Sequence, residues 1–133
     1  DTLERTRAAI AATPPRPAPG DAIDWLEAQL YPRPGRLHLI AHTIAWQYFP
    51  TESRARGAAL IADAGARAQD NAPLAWLAFE ADRNSPGAAL SLRLWPGDEG
   101  VSLGRADFHG RWVQWNPTPA AGRAGADGPL SAR

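Results

Sequence analysis

Two histidines, a threonine and three aromatic side chains crowd the segment Arg36-Leu-His-Leu-Ile-Ala-His-Thr-Ile-Ala-Trp-Gln-Tyr-Phe-Pro50. His42 lies near the end of its apolar run. An imidazole there, with an ordinary pKa near the working range, suits a general base or a substrate contact. It suits equally a half-buried histidine bonded to backbone. Thr43 adds a hydroxyl beside it. Trp46, Tyr48 and Phe49 offer either an aromatic wall for a planar ligand or packing between a strand and the next helix. His38 shares the face of His42 by strand alternation and is expected under a covering helix.

The remaining candidates each have a plain alternative. Asp107-Phe-His109, joined by His42, would make a two-histidine, one-carboxylate set suited to non-haem iron. Its short pair is reversed from the usual His-x-Asp order and sits by Gly110, so a turn role for Asp107 is preferred and no metal is expected. His109 is kept as a substrate contact. Asp21 is a good helix N-cap, and a capping residue can also line a site. Glu80 and Asp82 end a strand and suit either a substrate amine or solvent. Arg93 and Arg105 are expected to point outward without a function. No Ser-x-x-Lys, Gly-x-Ser-x-Gly or paired-carboxylate signature is present.

Composition removes several chemistries. All fourteen basic residues are arginine, which excludes an imine-forming lysine and the lysine of a phosphate-binding loop. The chain has no cysteine, hence no thiol nucleophile, disulfide or thiolate metal site. Zero net charge and a pI near 7.0 give no field favouring nucleic acid or anionic lipid. No apolar run approaches the roughly 18 residues of a membrane span, and a cytoplasmic home is the default. With no methionine and Asp1 first, the chain reads as processed or as part of something longer.

The elements that must position these residues follow from periodicity and punctuation. A helix is expected over 2–12, capped by Thr2, then a proline-rich loop over 13–20. Asp21 caps a second helix with Ile23, Leu26 and Leu30 on one face. Residues 36–45 form a buried strand, and Pro50-Thr51 opens a third helix with Ala58, Ile61, Ala62 and Gly65 on one face. Four strands at 74–80, 88–95, 101–106 and 111–115 are separated by Pro86-Gly87, Pro96–Gly100 and His109-Gly110. Residues 1–115 thus make one α/β domain with a mixed sheet, a parallel strand-helix unit first and an antiparallel meander last. Residues 116–133 read as a mobile tail.

Several segments in order resemble an uncharacterised bacterial family, domain of unknown function 2332. They are Gly20-Asp-Ala-Ile-Asp-Trp-Leu26, His42 to Pro50, Ala72-Pro-Leu-Ala-Trp-Leu77 with Glu80, Leu92-Arg-Leu-Trp-Pro-Gly97, and Ala106-Asp-Phe-His-Gly-Arg-Trp-Val-Gln-Trp115. Family members look longer, and this chain resembles their C-terminal portion, which implies a missing N-terminal half. The order Gly-Asp-Ala, helix, strand with polar tip, helix, strands is also similar to the second half of Rossmann-like methyltransferases. That resemblance implies S-adenosylmethionine as cofactor, with Asp21 on its adenine amino group. It turns the tip from His42 to Tyr48 towards substrate, which agrees with His42 as the catalytic candidate and Thr43, Trp46 and Tyr48 as substrate contacts. The glycine-rich turn of those enzymes and their Asn/Asp-Pro-Pro-Tyr/Phe motif are both absent. The competing expectation is a non-catalytic interaction module that uses an exposed aromatic surface to dimerise or hold a partner, an exposed strand edge favouring self-association.

Overall fold

A computed structural model describes residues 1–120 of the chain. The elements run α1 (Thr2–Ala12), α2 (Ala22–Gln29), β1 (His38–Thr43), a 3-10 turn (Trp46–Tyr48), α3 (Thr51–Ala66), β2 (Leu74–Glu80), β3 (Ala88–Trp95), β4 (Glu99–Ala106) and β5 (Val113–Pro119). The five strands form one sheet in sequence order, β1 parallel to β2 and every later pair antiparallel. A parallel pair needs a long crossover, and α3 supplies it. Short turns suffice for the meander. The expected mixed α/β sheet is therefore present.

Side-chain alternation decides which face of the sheet is covered. On β1, His38, Ile40 and His42 are half-buried, while Leu39, Ala41 and Thr43 are exposed. The register carries the covered face onto Leu74 and Trp76 of β2 and Trp95 of β3. Ile23, Leu26 and Leu30 from α2, with Ala58, Ile61 and Ala64 from α3, close over it. Trp76 and Ile61 are its most deeply buried large side chains.

Several expectations need correction. Asp1, not Thr2, caps α1 by accepting from Leu3 N–H at 3.0 Å, and α1 buries none of its residues. β1 is a half-buried edge strand rather than a buried one, because only β2 pairs with it and helices cover one of its faces. The last strand extends past Trp115 to Pro119. Its prolines are tolerated because an edge strand has a free side that needs no N–H donor. The expected tail thus begins in a strand, and residues 121–133 lie outside the described residues. On α3, Gly57 and Ala64 join the buried face and Ala62 is only half-buried.

The two buried glycines of α3 have a packing reason. A Cβ at Gly57 would stand 2.7 Å from Trp46 Cη2 and 2.8 Å from Ile23 Cδ1. A Cβ at Gly65 would overlap the Trp95 indole, 2.6 Å from its Nε1. Each glycine lets α3 rest directly on a tryptophan ring. Across the sheet, Arg105 secures the β2–β3 loop. Its guanidinium donates to both Asp82 oxygens at 2.8 and 2.9 Å and to the carbonyls of Asn84, Pro86 and Gly87. That partner lowers the Asp82 carboxyl to about 2.

Glycine to alanine normally gains about 1 kcal/mol in a helix interior. Overpacking against a rigid ring costs about 1–3 kcal/mol, and here it should prevail. Gly65→Ala and Gly57→Ala are expected to lower Tm, Gly65→Ala the more. A raised Tm in either variant would refute this packing account.

Candidate functional site

The site is built where β1 and β2 end side by side, the place ligands favour in parallel sheets. Glu80, the last residue of β2, lies on the same face as Trp76 and Ala78 by alternation. Its carboxylate Oε1 accepts from Ala45 N–H at 2.9 Å, Trp46 N–H at 3.0 Å and His42 Nδ1 at 2.8 Å. Oε2 lies 3.5 Å from Gln47 N. A carboxylate is thus set against the exposed amides that open the 3-10 turn, as at a helix N-terminus.

The chemistry of Trp76 settles the tautomer of His42. An indole N–H only donates, and Trp76 Nε1 donates to His42 Nε2 at 2.9 Å. The ring proton therefore sits on Nδ1, from which it is donated to Glu80. Trp46 stacks on the imidazole with centroids 4.9 Å apart and planes at 22°, and tilts against Trp76 at 5.3 Å. Burial pushes the His42 pKa below its ordinary value of 6.5, outweighing the Glu80 carboxylate, which raises it. Both ring nitrogens are engaged, so this imidazole is built to stay neutral and still.

Backbone strain marks the same place. Ile44 has φ of 47°, left-handed backbone that a β-branched residue rarely adopts. Its N–H donates to Phe79 O at 2.7 Å, and the Glu80 bonds begin at the next residue. The strand tip is held in a conformation it would not choose locally.

The other sequence candidates spread around this network. Trp46 is buried within it. Thr43 points to the opposite face of the sheet, and Tyr48 is 75% exposed. Asp21 Oδ1 caps α2, accepting from Ile23 N–H at 2.8 Å and Asp24 N–H at 3.0 Å. Since Ile23 and Trp46 meet over Gly57, the start of α2 lies at the same end of the molecule as the β1 tip. Asp21 also lines an open groove of about 520 Å³ with Arg16, Asp24 and the exposed ring of Trp25. His109 is at this end too, in the β4–β5 turn, but three strand spacings (~14 Å) from β1.

Asp107 acts in that turn: it accepts from His109 N–H at 2.9 Å and from the Arg111 guanidinium at 3.0 and 3.1 Å. Among the described residues, no three His, Asp or Glu side chains gather as a metal site. No helix there is long and apolar enough to cross a membrane.

Sequence reasoning missed the roles of Glu80 and Trp76. Glu80 was expected to meet a substrate amine or solvent, yet it is 5% exposed and spent on backbone amides and His42. The available signal was parity: Glu80 and Trp76 fall on one face of β2, and parallel pairing brings that face beside His42. Arg93 and Arg105 were likewise expected to point outward. Arg93 is instead 8% exposed, paired through Nε with Asp98 at 2.5 Å.

A family model described as "Uncharacterized protein conserved in bacteria (DUF2332)" matches residues 1–115, and the chain belongs to that family. No curated protein matches it, and no solved structure does.

The Nδ1–H tautomer of His42 is expected in long-range proton–nitrogen spectra. Because the folded pKa lies below the unfolded value, this residue contributes stability above pH 6.5 that is lost as pH falls through the folded pKa. Trp76→Phe removes the donor to Nε2. It should cost about 1–3 kcal/mol and raise the His42 pKa towards 6.5. An Nε2–H tautomer in the parent, or an unmoved titration in the variant, would overturn the assignment.

Proposed function

We propose that this member of the DUF2332 family is a ligand-binding α/β domain of a methyltransferase-like protein, its ligand lying across the β1 tip and the start of α2. The observation that carries the reading is the strained, carboxylate-anchored tip at Ile44. Such strain costs on the order of 1–3 kcal/mol and collects at ligand sites, where surrounding contacts over-determine it. The Asp21 groove adds a carboxylate and an exposed indole face, groups that suit the amino edge and the plane of an adenine ring.

In this reading S-adenosylmethionine is the cofactor, Asp21 and Trp25 take its adenine, and Thr43 and Tyr48 face the substrate. His42 is then a positioning residue that holds Trp46 and Glu80. His109 would reach only an extended substrate. The rest of the cofactor cradle would have to come from outside these residues.

Asp21→Asn separates cap from contact, because asparagine caps a helix as well as aspartate. Calorimetric titration of S-adenosylmethionine into the full-length protein should show binding. Asp21→Asn should weaken it roughly tenfold, the scale of one charge-assisted hydrogen bond, with Tm unchanged. Absence of heat and of thermal shift, or equal affinity in the variant, would sink the proposal.

A second reading, a non-catalytic module that self-associates, is favoured by a separate observation. β1 has an unpaired edge, and Leu37 and Leu39 beside it are more than half exposed. Unprotected edges invite pairing with another chain. Sedimentation should then show a concentration-dependent dimer that Leu39→Lys dissolves; a strictly monomeric protein rules this reading out.

A further inference from the structure

Beyond the helices, the covered face of the sheet continues over β3, β4 and β5 without a helix on it. Alternation and register place Ser91 and Arg93 of β3, Ser102 of β4, and Gln114, Asn116 and Thr118 of β5 together there. They line a groove of about 450 Å³, within the range of small-molecule sites. Leu90, Leu92 and Val101 of the same strands also line it, so the polar set stands among apolar neighbours.

Two polar groups in the groove wall are left with bonding capacity. Arg93 is buried, with its guanidinium 4.7 Å over the Trp95 ring and Nε and Nη2 on Asp98. Its Nη1 has no hydrogen-bond partner among the described residues. Ser91 Oγ is buried and also without a partner among them. Rotation about χ1, which has three staggered wells, would carry that hydroxyl toward the groove. Leaving the buried Ser91 hydroxyl unsatisfied costs free energy that a bound partner recovers.

Charge narrows the partner. Arg93 is neutralised by Asp98, and Arg105 by Asp82 with three carbonyls besides. The groove therefore has arginines but no net field for an anion. Its remaining polar side chains are hydroxyls and carboxamides, each of which both donates and accepts. The chemical complement is a ligand whose groups also do both.

We propose that this groove binds a neutral, polyhydroxylated ligand of saccharide type, with Arg93, Ser102, Gln114 and Asn116 as its polar contacts. The site is separate from the β1 tip and does not depend on the reading given above. Maltose serves as the neutral probe and glucose 6-phosphate as the charged one, each titrated into nitrogen-labelled protein. Maltose should produce saturable shifts in the Ser91 and Ser102 amides and in the side-chain amides of Gln114 and Asn116. The exposed pair Gln114→Ala/Asn116→Ala should weaken binding roughly tenfold, as expected for one or two lost hydrogen bonds. Arg7→Ala, on the exposed helix α1, should leave it unchanged. If the Gln114/Asn116 double variant proves unfolded, Ser102→Trp blocks the groove from a different strand. Tighter binding of glucose 6-phosphate, shifts outside the groove, or no saturable shift with maltose would each overturn the proposal.

Discussion

One buried carboxylate connects the parts of this domain that sequence keeps apart. Glu80 ends β2, yet it holds the backbone of Ala45 and Trp46 and the ring of His42. The two amides belong to the turn between β1 and α3, and His42 to the end of β1. Without an acceptor there, three donors in a largely apolar interior would lack partners, each at a cost of about 1–3 kcal/mol. The bonds also set where Trp46 lies, and Trp46 is the surface on which Gly57 and Ile23 converge. The placement of α2 over α3 therefore traces back to the end of β2.

The helix layer depends on a second constraint of shape rather than charge. α3 presents glycine where tryptophan rings come closest, at Gly57 under Trp46 and at Gly65 over Trp95. The helix gives up about 1 kcal/mol of propensity at each glycine and gains close contact with two large rings. Exposed ion pairs between Arg56 and Asp24 or Glu27 also bridge α2 and α3, but exposed pairs of this kind contribute little. Packing on the indoles, not those charges, holds the layer to the sheet. The layer is narrow. It covers β1, β2 and part of β3, and it leaves the polar strip over β4 and β5 open.

Much of the architecture was legible from local signals. Proline and glycine punctuation located the meander turns, and the bounds of β2 and β3 agree with their apolar runs. The cap at Asp21 and the start of α3 at Thr51 followed from residue type alone. What sequence could not supply was pairing. His42 looks like a candidate base until parallel register sets Trp76 and Glu80 on its two nitrogens. Arg93 looks like a solvated side chain until the β3–β4 turn brings Asp98 back to it. Strand β5 reads as ending at Trp115 because Pro117 and Pro119 weaken the pattern. Only its position at the sheet edge makes those prolines acceptable.

The two polar regions differ in what they have left to offer. At the β1 tip the network is closed: His42 has no free nitrogen, and Glu80 Oε1 already accepts three hydrogen bonds. A proton entering there would have to displace the Trp76 indole from Nε2, against the burial that already disfavours the charged ring. Such a centre fixes geometry rather than moving protons. In the groove over β3–β5 the situation is reversed. Its charges are paired, while the buried Ser91 hydroxyl remains unspent among the described residues. Rigidity at one end and spare hydrogen-bonding capacity on the open strip are complementary properties, and both follow from a helix layer that covers only half of one sheet face.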